Sequence, residues 1–250
     1  MKITINKYTK EVDTLLNQLS TKHNKEKAEK LKKYIGTNYH VYGLDSKAQV
    51  NVCKTGFSFY ETNMEATFTK MDAIYHHSNS FEGKNLAFIF LDQNYKHISI
   101  SSQLQLLPNW VKRVDNWAHS DALSKFLTRL LEHKITHKEL LGILKNWNSS
   151  PNLWERRQSL VSLYYYSRTK KECIDYQISE TLISNLLKDK EHYVQKALGW
   201  ALRESYNVYP KETFIFIENN IKNISSTAFT TCIEKMNENQ KSILKLKRKK

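Results

Sequence analysis

A chain of 250 residues with 40% hydrophobic and 26% charged side chains can bury a full core without disulfide or metal staples. Its 6 glycines and 3 prolines fall well below the roughly 17 and 12 of average usage, which argues against turn-rich sandwiches and barrels and for helices joined by short polar turns. The 39 Lys and Arg against 25 Asp and Glu leave a net charge of +14, a surplus that fits a polyanionic partner, nucleic acid foremost and an anionic membrane less well.

Taken in chain order, apolar residues recur at helical spacing near 8–20, 25–36, 62–77, 81–94, 117–132, 137–148, 152–167, 174–188, 190–206 and 210–221. Residues 38–60 are mixed and aromatic-rich and receive no assignment. Residues 99–113 read as a helix that Pro108 kinks or interrupts. Thr136 and Glu139 have capping-box spacing, and Ser150-Pro151 and Tyr209-Pro210 put proline at first helical positions. No Pro/Gly/Ser-rich linker divides the chain, so one domain is expected over 1–240, with the Lys-rich stretch 241–250 as a solvated basic tail. Helix pairs of about 35–45 residues fit an all-α, HEAT-like α-solenoid, an α-α superhelix with a basic concave face.

No apolar run approaches the roughly 18 residues of a membrane span, and polar residues follow Met1-Lys2, so neither a span nor a standard secretion signal is expected. Cys53, Cys173 and Cys232 are far apart and form neither a CxxC pair nor an even set. A reducing, cytoplasmic location follows.

Chemistry concentrates in three segments. On a helical wheel of 191–204, Val194, Ala197, Leu198 and Ala201 form one stripe, and Lys196, Trp200 and Arg203 fall opposite it. Packing against a neighbouring repeat would account for the indole. Cations on both sides fit instead a surface that meets phosphates and a sugar or base. Asp115-Asn116 can cap a helix starting at Trp117, with Leu123, Phe126, Leu127 and Leu130 inward and Trp117, Asp121 and Thr128 outward. Trp117 and Asp121 are then neighbours one turn apart. Asp121 alone would read as a first-turn acid complementing the helix dipole. In Leu153-Trp154-Glu155-Arg156-Arg157, the adjacent guanidiniums point about 100° apart, so one of them is expected to face a phosphate; a surface ion pair is the plainer alternative. His133 and His137 have no HExxH context, so no metal site is expected. GxSxG, Walker A and GxGxxG motifs are absent, which removes nucleophile-elbow hydrolases and nucleotide-dependent enzymes.

These segments resemble the HEAT-repeat alkylpurine DNA glycosylases, the AlkD type of DNA alkylation repair enzyme. Val194-Gln195-Lys196-Ala197-Leu198-Gly199-Trp200-Ala201-Leu202-Arg203-Glu204 looks like that family's K-A-x-G-W-x-L-R-E signature. Trp117-Ala118-His119-Ser120-Asp121 is similar to its Trp-x3-Asp, and Trp154-Glu155-Arg156-Arg157 to its W-x-x-R helix start, which selects Arg157 over Arg156. Lys27-Ala28-Glu29-Lys30-Leu31-Lys32-Lys33-Tyr34 resembles its K-A-x-x-M-x-x-Y. The resemblance departs after Gly43, where the family's Pro and Arg pair are replaced by Leu44-Asp45-Ser46-Lys47-Ala48, and at Asn116 and Ala118, where a second Trp and an extra acid are often found.

The resemblance implies hydrolysis of the N-glycosidic bond of N3- or N7-alkylated purines in duplex DNA, by a monomer that needs no metal or organic cofactor. Asp121 would stabilise an oxocarbenium-like sugar and orient water, with Trp117 and Trp200 as the other catalytic residues and no full extrusion of the base. Arg157, Arg203, Lys196 and Tyr34 would contact DNA. No lysine stands out as a Schiff-base nucleophile, so the enzyme is expected to be monofunctional. Two rivals are a catalytically silent relative that binds duplex or branched DNA, and a protein–protein scaffold. The glycosylase reading further expects Asp121, Trp117, Trp200 and Arg157 to converge on one basic groove.

Overall fold

The structure, a computed structural model, describes residues 2–165, 167–169 and 173–249. Among these the chain is all-α, with fourteen α-helices and three single-turn 3-10 helices. An isolated bridge joins His40 to Ser80. The helices gather into two compact units, Met1–Leu123 and Ser124–Lys250.

The first unit holds α1 (Lys2–Leu19), α2 (Lys22–Ile35), α3 (Ser46–Thr55), α4 (Met64–His77), α5 (Phe81–Asn94), α6 (Ile100–Trp110) and the start of α7 (Trp117–Glu132). Its centre is α4 against α5, where Phe68, Met71, Ile74, Leu86, Ala87 and Leu91 are fully buried, each large side chain worth about 1.5–3 kcal/mol of transfer free energy. Tyr75 stacks on Trp110 at 4.1 Å, so the aromatic helix ends are as much a part of this core as the aliphatic stripes. Pro108 lies inside α6 without ending it, and a 3-10 turn over Val111–Arg113 begins three residues later, beyond the preceding turn on which a proline's missing N–H and ring bulk act.

The unassigned stretch 38–60 divides into a loop and α3. Asp45 caps α3 by accepting from the Ala48 N–H. The loop before it is held by a buried carboxylate: Glu82 accepts from the backbone N–H groups of Tyr42, Gly43 and Leu44 at 3.0, 2.8 and 3.2 Å. Gly43 takes φ 78°, and a Cβ there would lie 2.3 Å from the Asn24 carbonyl oxygen, so only glycine fits. Neither Glu82 nor its neighbour Lys84 reads as buried in the sequence, yet both have no accessible surface. The Lys84 ammonium donates to the Tyr75 carbonyl and lies 4.6 Å over each of the Tyr39 and Tyr75 rings. Burial, with the Arg113 charge second, pushes its pKa down to about 7.

The second unit holds the rest of α7, then α8 (His137–Asn148), α9 (Leu153–Val161), α10 (Tyr176–Asn185), α11 (His192–Val208), α12 (Pro210–Asn219), α13 (Ser226–Cys232) and α14 (Glu238–Lys249). The crossing of α11 on α13 is close. A Cβ on Gly199 would stand 2.5 Å from the Ala228 carbonyl oxygen and 2.8 Å from its Cα. Proline opens α12 at Pro210 as expected. Two other start signals fail. The Thr136 hydroxyl donates back to the Leu130 and His133 carbonyls and makes no cap bond to α8, so the capping box does not form. Pro151 stays outside α9, which Asn152 caps through the Trp154 N–H.

The expected solvated tail over 241–250 also differs from the structure, in which α14 runs to Lys249. Leu244 is fully buried, and the Arg248 guanidinium donates to the Ile221 and Ile224 carbonyls at 3.0 and 2.7 Å and covers the Phe229 ring. With the Tyr206–Gln240 and Lys247–Glu218 contacts, these side chains seat a helix that charge counting assigns to solvent.

Candidate nucleic-acid interface

The first turn of α7 is capped as the sequence predicts. Asn116 Oδ1 accepts the His119 N–H at 2.9 Å, a bond from the cap to the third helical residue. Trp117 then leans, half-buried, against the cluster of Ala28, Ile35, Val41 and Phe81. Its indole N–H donates to the Tyr34 carbonyl at 3.3 Å, and the two rings meet edge to face with centroids 5.3 Å apart, a favoured aromatic geometry. Tyr34 is 71% exposed. Asp121, one turn after Trp117 on the same helix face, is half-buried. Tyr34, Trp117 and Asp121 are therefore grouped in the first unit.

The inward stripe of α7 is confirmed at Leu123, Phe126, Leu127 and Leu130, all at most 1% exposed. Thr128, expected outward, is buried instead: its hydroxyl donates to the Ser124 carbonyl, and the Ser162 carbonyl also lies 2.8 Å from it. The wheel treats a helix as having one partner, and here a second packs on its flank.

Lys196, Trp200 and Arg203 keep to the wheel on α11. Lys196 is exposed, and Trp200 and Arg203 are half-buried. The Trp200 and Tyr165 rings lie 6.5 Å apart at 36°. Arg203 is flanked by carboxylates, Glu204 and Glu234, each at 2.9 Å. Lys235 and Arg203 together hold the Glu234 carboxyl below its ordinary range. Arg157, only 6% exposed, donates from Nη1 to the Tyr193 carbonyl at 2.8 Å, and the Tyr193 ring stacks on Trp154. Arg156 pairs with Asp189 at 2.6 Å and also holds the Ser150 carbonyl. Of the predicted cations Lys196, Arg157 and Arg203, Lys196 is the exposed one.

His119 escaped the sequence reading as a functional residue, although its register, four residues before Leu123, puts it on the inward stripe. It has no accessible surface. Its ring stacks on Phe81 at 4.6 Å and 16°. Among the described residues no group of three His, Cys, Asp or Glu could hold a metal ion, and the His137 ring is tied to the Leu131 carbonyl at 2.6 Å. No described helix is long and apolar enough to cross a membrane.

The described chain is all-α, carries a surplus of basic charge and sets an aromatic pair at the start of the helix that bears Asp121, an arrangement that fits a helical protein with a polyanionic partner. The family model described as DNA alkylation repair enzyme matches residues 15–236, and the chain belongs to that family. Among solved structures it is similar to a predicted DNA alkylation repair enzyme from Enterococcus faecalis, with TM-score 0.67, 17% identity, and 86% of this chain and 97% of that chain covered. It is also similar to AlkD2 from Streptococcus mutans, with TM-score 0.52, 20% identity, and 85% of this chain and 99% of that chain covered. At such identities the likeness establishes the shared all-α helical-repeat fold. No curated protein matches the sequence.

Proposed function

We propose that the protein is a monofunctional DNA N-glycosylase that removes N3- and N7-alkylated purines from duplex DNA. Family membership supports DNA repair chemistry. The finer reading is carried by the edge-to-face Tyr34–Trp117 pair, with Asp121 one turn further along the face of α7 that bears Trp117.

An alkylated purine is already cationic, so it leaves with little acid assistance, and the charge to be stabilised develops on the deoxyribose. The C1′–N bond breaks with its electron pair going to the purine. Water adds to C1′, and the carboxylate of Asp121 stabilises the oxocarbenium-like sugar, orients that water and takes its proton. Trp117 and Trp200 offer π faces to the cationic nucleotide, each worth about 0.5–2 kcal/mol. Tyr34 and Lys196 contact the DNA backbone, and Arg203 exchanges Glu234 for a phosphate oxygen. Arg157 acts from within the second unit by holding the Tyr193 carbonyl at the start of α11. The base is not fully extruded, the enzyme acts as a monomer, and no metal or organic cofactor takes part.

The test is release of 7-methylguanine from a duplex. Wild-type protein should release the base, and Asp121→Asn should slow release by about 100-fold or more while duplex affinity is kept. Tight, salt-sensitive binding without release by the wild type would replace this reading with that of a catalytically silent duplex binder. Weak binding that salt does not change would leave a protein–protein scaffold.

A further inference from the structure

We propose that His119 is a positioning residue whose imidazole, clamped between Asn116 and the Phe81 carbonyl, holds the first turn of α7 and so the placement of Trp117 and Asp121. This rests on the reading of Asp121 given above.

The clamp follows from donors and acceptors alone. His119 Nε2 lies 3.2 Å from the Phe81 carbonyl oxygen. A carbonyl only accepts, so Nε2 carries the proton. His119 Nδ1 lies 3.0 Å from Asn116 Nδ2, and an amide nitrogen only donates, so Nδ1 accepts and the ring is neutral. The orientation of the Asn116 amide is fixed independently, because its oxygen already accepts the His119 N–H. Cap and third residue thus bind each other twice, once through the backbone and once through the ring.

The clamp extends on both sides. Asn116 Nδ2 also reaches Asp115 Oδ1 at 2.8 Å. The Asp115 carboxylate accepts from the Thr37 hydroxyl at 2.8 Å and from the Asn38 N–H at 2.8 Å, just beyond the end of α2. That same helix supplies the Tyr34 carbonyl that receives the Trp117 indole N–H. A continuous chain of polar contacts therefore links the start of α5, the start of α7 and the end of α2, and Trp117 is tied to the α2 end by its indole N–H. Burial pushes the His119 pKa down to about 3, which agrees with the neutral ring that the contacts demand. Trp117 and Asp121 stand on the opposite side of α7 from His119, so the imidazole acts on them only through the helix start. A leucine would fill the space and leave the Phe81 carbonyl and the Asn116 amide without these partners.

Three variants test the clamp: His119→Leu, His119→Gln and Asn116→Ser. Serine keeps the acceptor that caps the His119 N–H and removes the amide N–H that Nδ1 accepts. The readouts are cooperative unfolding, duplex affinity, single-turnover release of 7-methylguanine, and the indole N–H signal of Trp117 in a nitrogen-labelled NMR spectrum, assigned with Trp117→Phe. His119→Leu and Asn116→Ser should shift or broaden the Trp117 signal and slow release by about tenfold to hundredfold, with affinity kept. His119→Gln, whose amide can donate to Phe81 and accept from Asn116, should recover most of both.

An unchanged Trp117 signal and rate in His119→Leu and Asn116→Ser overturns the proposal. So does a slowed rate with an unmoved Trp117 signal, which would make His119 only a packing residue. If His119→Leu does not fold, Asn116→Ser decides, since the cap survives in it. If the wild type releases no base, the glycosylase reading fails by itself, and the Trp117 signal still settles whether the clamp exists.

Discussion

Lys196 reaches solvent from α11, while Arg157 lies buried with one guanidinium nitrogen on the Tyr193 carbonyl and Arg203 shares carboxylates with Glu204 and Glu234. Residues chosen from sequence as one kind of DNA contact thus occupy three electrostatic environments, and their substitution should separate them. Lys196→Ala removes only exposed charge. It should leave the melting temperature nearly unchanged and reduce the slope of log affinity against log salt by about 0.9, the share of one phosphate contact on duplex DNA. Arg157→Ala removes a buried donor and strands a carbonyl, at a cost of about 1–3 kcal/mol, so thermal unfolding should register it before any binding assay does. If Arg157→Ala instead keeps full stability and flattens the salt slope as Lys196→Ala does, Arg157 meets phosphate directly.

At the scale of the helix, the legible features are those set by period and composition. Val194, Ala197, Leu198 and Ala201 face the core of the second unit as the wheel requires, as do the four inward residues of α7. Helix ends were less legible, because a side chain that looks like a cap can be claimed by the end of the preceding helix, as the Leu130 carbonyl claims the Thr136 hydroxyl. The Tyr34–Trp117 contact was not legible, since 83 residues separate the two and no periodicity links them; the resemblance named both residues but not their meeting. The buried Glu82 and Lys84 had no signal at all, their partners being backbone groups of other segments. Gly199 was visible as part of a motif, but its reason is the crossing with α13. Gly199→Ala improves helix propensity by about 1 kcal/mol, yet the new methyl meets the Ala228 backbone at 2.5 Å, and overpacking of this kind costs about 1–3 kcal/mol. The net effect should be destabilisation, read as a lower midpoint in urea with an unchanged slope. A stabilised variant would show that α13 gives way freely, and the crossing would then place no constraint on Trp200.

For the molecule as a whole, the surplus of 39 basic over 25 acidic residues was plain from the start. Among the described basic residues Arg157 and Lys84 are buried, and Lys84 has no accessible surface and a pKa that falls from 10.5 to about 7 on folding. Between those values the unfolded chain binds a proton at this position that the folded chain does not, so stability rises with pH across the interval. Below about 7 the ammonium is charged in both states and its full desolvation cost is present; above 10.5 it is neutral in both and the cost is gone. Other groups bound the usable window. His119, lowered to about 3, opposes folding only as pH falls below its ordinary 6.5. The Cys53 and Cys232 thiols, raised from 9.0 to about 12 by burial, lose stability as pH climbs through that range, with the opposite sign to Lys84. From about pH 7 to about pH 8.5, then, urea unfolding of the wild type should show stability increasing with pH. Lys84→Met, which keeps the stem and removes the titrating group, should abolish most of that rise and be favoured over the wild type most strongly at the acid end. A Lys84→Met variant with the same slope as the wild type would mean that the ammonium keeps its charge within the core, with the Tyr75 carbonyl and the two tyrosine rings solvating it as well as water does.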